Sequence, residues 1–164
     1  MLFRSNRILT VRDLLLKPIT VGQFITKKVY SIDARESLAD ATQLMASQHF
    51  SQLPVYQNER CHGILSVRNV TYFLGAQHQR TLDLTTITVA DVLVQAAQRD
   101  TAVFVAHTTP LIDVLAYFAT HNQRGNYLDA VLVTADGRDD QPLLGLIAEA
   151  DIPGINEQLV PYIN

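Results

Sequence analysis

Apolar residues fall along the chain in short runs that switch between helical and alternating spacing. Leu38, Ala41, Leu44 and Met45 share one helical face, because residues three and four apart stack on the same side of a helix. The spacing predicts a helix over 38–49. Ser37, with Asp40 three residues on, reads as a capping box at its start. Ahead of it, residues 29–32 (Val-Tyr-Ser-Ile) form a short β-type run. Behind it, residues 53–56 and 61–67 read as two strands of a hairpin turning at 57–60. A second helix is expected from about Asn69. The order strand, helix, strand, strand, helix then recurs. Residues 102–106 make the next strand, and Thr109 is placed as N-cap with Pro110 at the first helical position. Leu111, Val114, Leu115 and Phe118 supply the helical stripe. Residues 129–134 and 143–148 give the second hairpin, and a helix from about Pro153 closes the copy.

The recurrence extends to the residues themselves. Ile19-Thr20-Val21-Gly22-Gln23-Phe24-Ile25 returns as Ile87-Thr88-Val89-Ala90-Asp91-Val92-Leu93, an offset of 68. Gly63-Ile64-Leu65-Ser66-Val67-Arg68-Asn69-Val70 returns as Gly145-Leu146-Ile147-Ala148-Glu149-Ala150-Asp151-Ile152, an offset of 82. The offset grows in small steps, so the second copy carries short insertions at loop positions, among them the Gly- and Asp-rich stretch 136–140. The expected organisation is a lead at 1–18, one repeat at 19–75, a connector at 76–86 and a second repeat at 87–164. A unit of some fifty to sixty residues buries too little surface to be secure alone. Two tandem β-α-β-β-α repeats are therefore expected to pack as one pseudo-symmetric α+β body.

Composition narrows the function. With 48% apolar and 18% charged residues the chain is rich enough for a real core. The net charge of −3 argues against a general nucleic-acid role. Charge is uneven, because Arg4, Arg7, Arg12, Lys17, Lys27 and Lys28 against Asp13 give the first thirty residues +5 and leave −8 for the rest. That basic lead reads first as a solvated face and second as a contact for phosphates or an acidic partner. One cysteine, Cys61, excludes an internal disulfide and a thiolate metal cluster. Arg7, Arg12 and Asp13 interrupt each candidate signal segment, and no run approaches a membrane span. A cytoplasmic protein without a membrane partner is expected. His49, His62, His78, His107 and His121 show no ligand spacing, and Cys61-His62 would point to opposite faces of a strand. With no nucleophile–base pair and no paired carboxylates, no enzyme and no metal are expected.

The ordered motif set resembles a pair of CBS domains, the Bateman module. Val21-Gly22-Gln23-Phe24-Ile25, Leu53-Pro54-Val55-Tyr56 and Gly63 to Val70 match the family's three signatures in the first copy. The second copy departs at Leu132, where the family has proline, and at Ala148, where it has a hydroxyl residue. The resemblance covers about residues 19–160. It implies a non-catalytic regulatory module that binds an adenosine-containing ligand between the repeats, such as AMP, ADP, ATP, S-adenosylmethionine or NAD. It also implies signalling through an unknown protein partner or through self-association as a homodimer, with no required cofactor.

Carried over by position, Asn69 takes the ribose place of the first copy and Ser66 the hydroxyl place, with Arg68 beside them for a phosphate. Phe50 and Ser51 fall where the base is contacted, and Pro54 is a further ligand-binding position. In the second copy Asp151 takes the ribose place, and Leu128 and Asp129 match Phe50 and Ser51. A carboxylate accepts two hydrogen bonds from vicinal hydroxyls, and a helix N-terminus offers free N–H groups to an anion. The two sites should differ: an amide with a hydroxyl in the first, and a carboxylate with Ala148, Glu149 and Asp129 nearby in the second. The second is expected to take adenosine-like or uncharged ligands before polyphosphates. Simpler roles compete for each residue. Ser66, Asn69 and Asp151 also suit plain helix caps, Arg68 a surface charge, and Phe50 ordinary core. On those readings both clefts are degenerate and the chain is a ligand-free scaffold. For self-association, Val70, Tyr72, Phe73, Leu74, Ile155 and Leu159 are the expected apolar seam.

Overall fold

The computed structural model describes residues 10–25, 28–77, 81–96, 102–123 and 127–162. Arg4, Arg7, Leu9 and Lys27 of the basic lead, and His78 of the connector, lie outside them. In the lead, α1 (Val11–Leu16) is opened by Thr10, whose hydroxyl accepts from the Asp13 N–H while the Asp13 carboxylate accepts from Thr10. Its Val11, Leu15 and Leu16 remain exposed.

Each half then holds a three-stranded sheet with one parallel and one antiparallel pairing. In the first, β1 (Ile32–Asp33) runs parallel to β2 (Gln52–Gln57), which pairs antiparallel with β3 (Arg60–Ser66). The β-type run at 29–32 thus contributes only its last residue to the ladder. Helix α3 (Leu38–Gln48) lies between β1 and β2, capped by Ser37 and ended by His49 in the left-handed region at φ 56°. In the second half, β4 (Ala102–Ala106) is parallel to β5 (Ala130–Thr134), and β5 is antiparallel to β6 (Gly145–Ile147). Helix α6 (Leu111–Gln123) connects the parallel pair. Where the two sheets meet, Ile64, Ala130 and Leu132 form a buried cluster with Phe104, Leu143 and Leu146 against it.

Two short helices cross between the halves. Helix α2 (Val21–Phe24) sits on the second half: Val21 N–H donates to the Thr109 carbonyl, Leu111 N–H to that of Ile19, and Val21 is fully buried in the second core beside Leu111 and Val114. Helix α5 (Val89–Ala96) does the reverse. Leu38 N–H donates to Ile87 and Val89 N–H to Glu36, and Val89, Val92 and Leu93 complete the first core. The repeated Ile-Thr-Val segments therefore close one another's repeats, and the sequence repeat and the packing unit do not coincide. Gly145 shows how tight the exchange is. A Cβ there would lie 2.6 Å from Ile25 Cδ1, closer than packed carbons approach.

Each half ends in a helix. α4 (Val67–Ala76) begins two residues earlier than expected, because Ser66 rather than Asn69 is the cap. α7 (Ile152–Leu159) follows a 3-10 turn at Glu149–Asp151. The seam expected on these helices changes. Val70, Phe73, Ile155 and Leu159 are buried in the two cores, since they recur at the spacing that faces the sheet. Tyr72 and Leu74 remain exposed, joined by Val67 on α4 and Val94 on α5.

Candidate functional site

The two strand-to-helix junctions hold the expected ribose positions, and their local bonding differs. At Ser66 the cap is reciprocal. Asn69 N–H donates to Ser66 Oγ at 3.2 Å, while the Ser66 N–H and hydroxyl both donate to Asn69 Oδ1, at 3.0 and 2.5 Å. The amide's single acceptor oxygen thus carries two bonds, and its other terminus is a donor. At the second junction Ala148 N–H donates to Asp151 Oδ2 at 2.9 Å. A carboxylate has a second oxygen, so Asp151 retains acceptor capacity where Asn69 does not.

Asp151 lines a cavity of about 190 Å³ between the halves, with Leu146 and Ala148 from its own half and Phe50, Ser51, Gln52 and Pro54 from the other. The base-contact positions of the first copy therefore face the ribose position of the second. Lys28, Val29, Tyr30 and His49 complete the wall. The Tyr30 and Phe50 rings stand 5.2 Å apart at 48°, and Lys28 Nζ lies 5.5 Å from the Tyr30 centroid. Together they form an aromatic shelf with a cation over the Tyr30 ring. Sequence reasoning named Phe50, Ser51, Pro54 and Asp151 but missed Lys28, Tyr30 and His49. The signal was faint, since residues 28–30 only lead into the short β-type run at 29–32 and carry none of the matched motifs.

The remaining candidates gather at the other junction. Arg68 Nη2 lies 2.6 Å from Asp129 Oδ1, the guanidinium 28% exposed and the carboxylate 7%. The Arg68 guanidinium also sits 4.7 Å from the centroid of Tyr127. Leu128 is buried among the second core residues. Asp129 is thus fastened to the first copy's Arg68 beside Asn69. Asp129 is not among the residues that line the Asp151 cavity, whereas Lys28 is.

A larger cavity, about 550 Å³, opens at the hairpin-turn end and is lined by Val29, Ser31, Tyr56, Glu59, Asp140, Pro142 and Leu143. Burial pushes the Tyr56 hydroxyl above its ordinary value, and Arg138 holds the Asp140 carboxyl below its own. The expected ribose residues are not among its lining. Cys61, whose thiol is pushed up by burial, is half-buried and His62 exposed, as opposite strand faces require. Among the described residues no cluster of His, Cys, Asp and Glu suits a metal, and no helix is long and apolar enough to cross a membrane.

Comparison with known proteins places this geometry. The family model of the CBS domain matches residues 21–76. A comparison with curated proteins gives no match. Among solved structures, a Vibrio cholerae protein assigned to acetoin utilization (AcuB) superposes with a TM-score of 0.65 at 22% identity, over 87% of this chain and 93% of that one. The CBS domain pair of protein MJ0100, solved with 5′-methylthioadenosine and S-adenosyl-L-methionine, gives 0.64 at 15%, over 86% and 98%. CBSX2 in complex with AMP gives 0.63 at 19%, over 86% and 98%. The molecule is a mixed α+β protein with the fold of a CBS-domain pair. The CBS-domain model matches residues 21–76, and the solved CBS-domain structures share the fold of both halves.

Proposed function

We propose that the chain is a non-catalytic, cytoplasmic regulatory module that takes an adenosine-containing ligand in the Asp151 cavity. The observation that carries this reading is the meeting, across the two halves, of the Tyr30–Phe50 shelf with the Asp151 carboxylate. A purine base stacks on aromatic rings. Ribose hydroxyls donate to a carboxylate with a charge-assisted bond. Lys28 over the Tyr30 ring supplies a cation for one phosphate. AMP and S-adenosylmethionine fit these features, and two proteins of the same fold hold those compounds. Because the cavity draws on both halves, a ligand there binds one relative arrangement of the halves more tightly than another. That differential affinity is what a regulatory output requires.

Titration with AMP and with S-adenosylmethionine tests the site. Asp151→Ala is expected to weaken binding at least tenfold, in line with the loss of a charge-assisted pair at about 1.5–3 kcal/mol. Asn69→Ala is expected to change it less than threefold. Equal losses from both variants would overturn the assignment. No stabilisation of the intact chain by either compound would favour the ligand-free scaffold, since a ligand bound only by the folded state must raise the melting temperature.

Output through self-association is proposed along α4 and α5, where Val67, Tyr72, Leu74 and Val94 are exposed. Light scattering is expected to give a homodimer at micromolar concentration and a monomer for Tyr72→Glu/Val94→Glu. A monomeric parent chain sinks this route and leaves a separate protein partner.

A further inference from the structure

The Asn69 junction holds a guanidinium in the place where its counterpart holds a cavity. By repeat position Tyr127, Leu128 and Asp129 match His49, Phe50 and Ser51. On the Asp151 side the latter three line open space. On the Asn69 side, Tyr127 and Asp129 grip Arg68, with the ring 4.7 Å away and the carboxylate at 2.6 Å. The pair joins residues 61 apart in sequence and ties α4 of the first half to the entry of β5 in the second.

A planar guanidinium stacks on an aromatic ring as a base does, and donates to a carboxylate as ribose hydroxyls do. We infer that Arg68, held by Asp129 and Tyr127, fills the Asn69 cleft as a built-in substitute for ligand, so that each chain has one adenosyl site rather than two. The site count rests on the ligand reading given above; the lock itself rests on the ion pair and its stacking. A nucleotide entering beside Asn69 would have to displace a guanidinium from a carboxylate that is only 7% exposed, and separating a pair at such a site is unfavourable. It would also find the Asn69 acceptor oxygen already bonded twice.

Calorimetric titration of the intact chain with AMP is expected to saturate at one equivalent. Asp151→Ala is expected to weaken that binding at least tenfold. Adding Asp129→Asn to Asp151→Ala frees Arg68 from its anionic partner, so AMP binding is expected to return, at least tenfold tighter than adenosine because the phosphate is what Arg68 meets. Two equivalents on the intact chain would overturn the lock, and this reading needs no variant to fold. A double variant that melts within a few degrees of Asp151→Ala yet gains no AMP would overturn it too. If the intact chain binds nothing while Asp129→Asn binds one equivalent, the Asp151 ligand reading fails and the lock stands.

Discussion

At the Asp151 cleft a carboxylate is tied down by one backbone N–H, a cation waits at the rim and two aromatic rings stand beside open space. At the Asn69 cleft an amide oxygen is bonded twice, the cation is seated inside and an aromatic ring covers it. The parts are alike in kind: a carboxylate, a cation, an aromatic ring and a helix start in each. What differs is where the charges point. In one cleft the carboxylate and the cation both line an open cavity of about 190 Å³. In the other they have found each other. Two copies of one motif thus diverge by satisfying or not satisfying their own polar groups. Buried charge that is paired internally is no longer available to a ligand.

Stability measurements on the two cations probe this contrast most sharply. Arg68→Met removes the guanidinium partner of a nearly buried carboxylate. Allowing for the partial exposure of Arg68, the loss is expected to be about 3 kcal/mol, or roughly 10 °C in melting temperature for a chain of this size. Lys28→Met at the rim of the other cleft is expected to cost less than about 0.5 kcal/mol, as exposed charges generally do. Similar costs for the two variants would show that Arg68 is no more committed than a surface lysine. The closed-cleft comparison would then be lost.

Much of the fold could be read from periodicity. Leu38, Ala41 and Met45 are the buried face of α3, and the alternating runs became β2 and β3 within a residue or two. What the chain pattern could not show was which repeat each segment completes. The Ile-Thr-Val segments look local to the strands that follow them. Yet Val21 packs with Leu111, and Val89 with Leu38, because each segment pairs with the helix start of the opposite copy. The same blindness affected the site. Motif position named Phe50, Asp151, Arg68 and Asp129, but grouped them by repeat. Their partners lie across the pseudo-axis: Phe50 with Asp151, and Arg68 with Asp129. Long-range pairing is a property of topology, and a single sequence records it only as spacing.

The smallest expected effects test the junctions themselves. Ser66 and Ala148 occupy the same position in the two copies, and one carries the hydroxyl that the other lacks. In α4 that hydroxyl accepts from the Asn69 N–H and donates to its side-chain oxygen. Ser66→Ala removes both bonds and is expected to cost about 1 kcal/mol, the usual loss for an N-cap serine. Ala148→Ser should restore a cap to the second junction. A hydroxyl there can accept from the Asp151 N–H, which now bonds to the Ala148 carbonyl, and can donate to the Asp151 carboxylate. Ala148 lines the cavity, so the added oxygen has room. A gain of up to about 1 kcal/mol is expected in thermal or urea unfolding. Function should move the other way. A hydroxyl bonded to the Asp151 carboxylate competes with ribose for the same acceptor, which would make the second junction resemble the first. Ala148→Ser is therefore expected to be more stable and to bind AMP a few-fold more weakly. A variant that gained both stability and affinity would show that the missing hydroxyl, rather than the free carboxylate oxygen, limits this cleft.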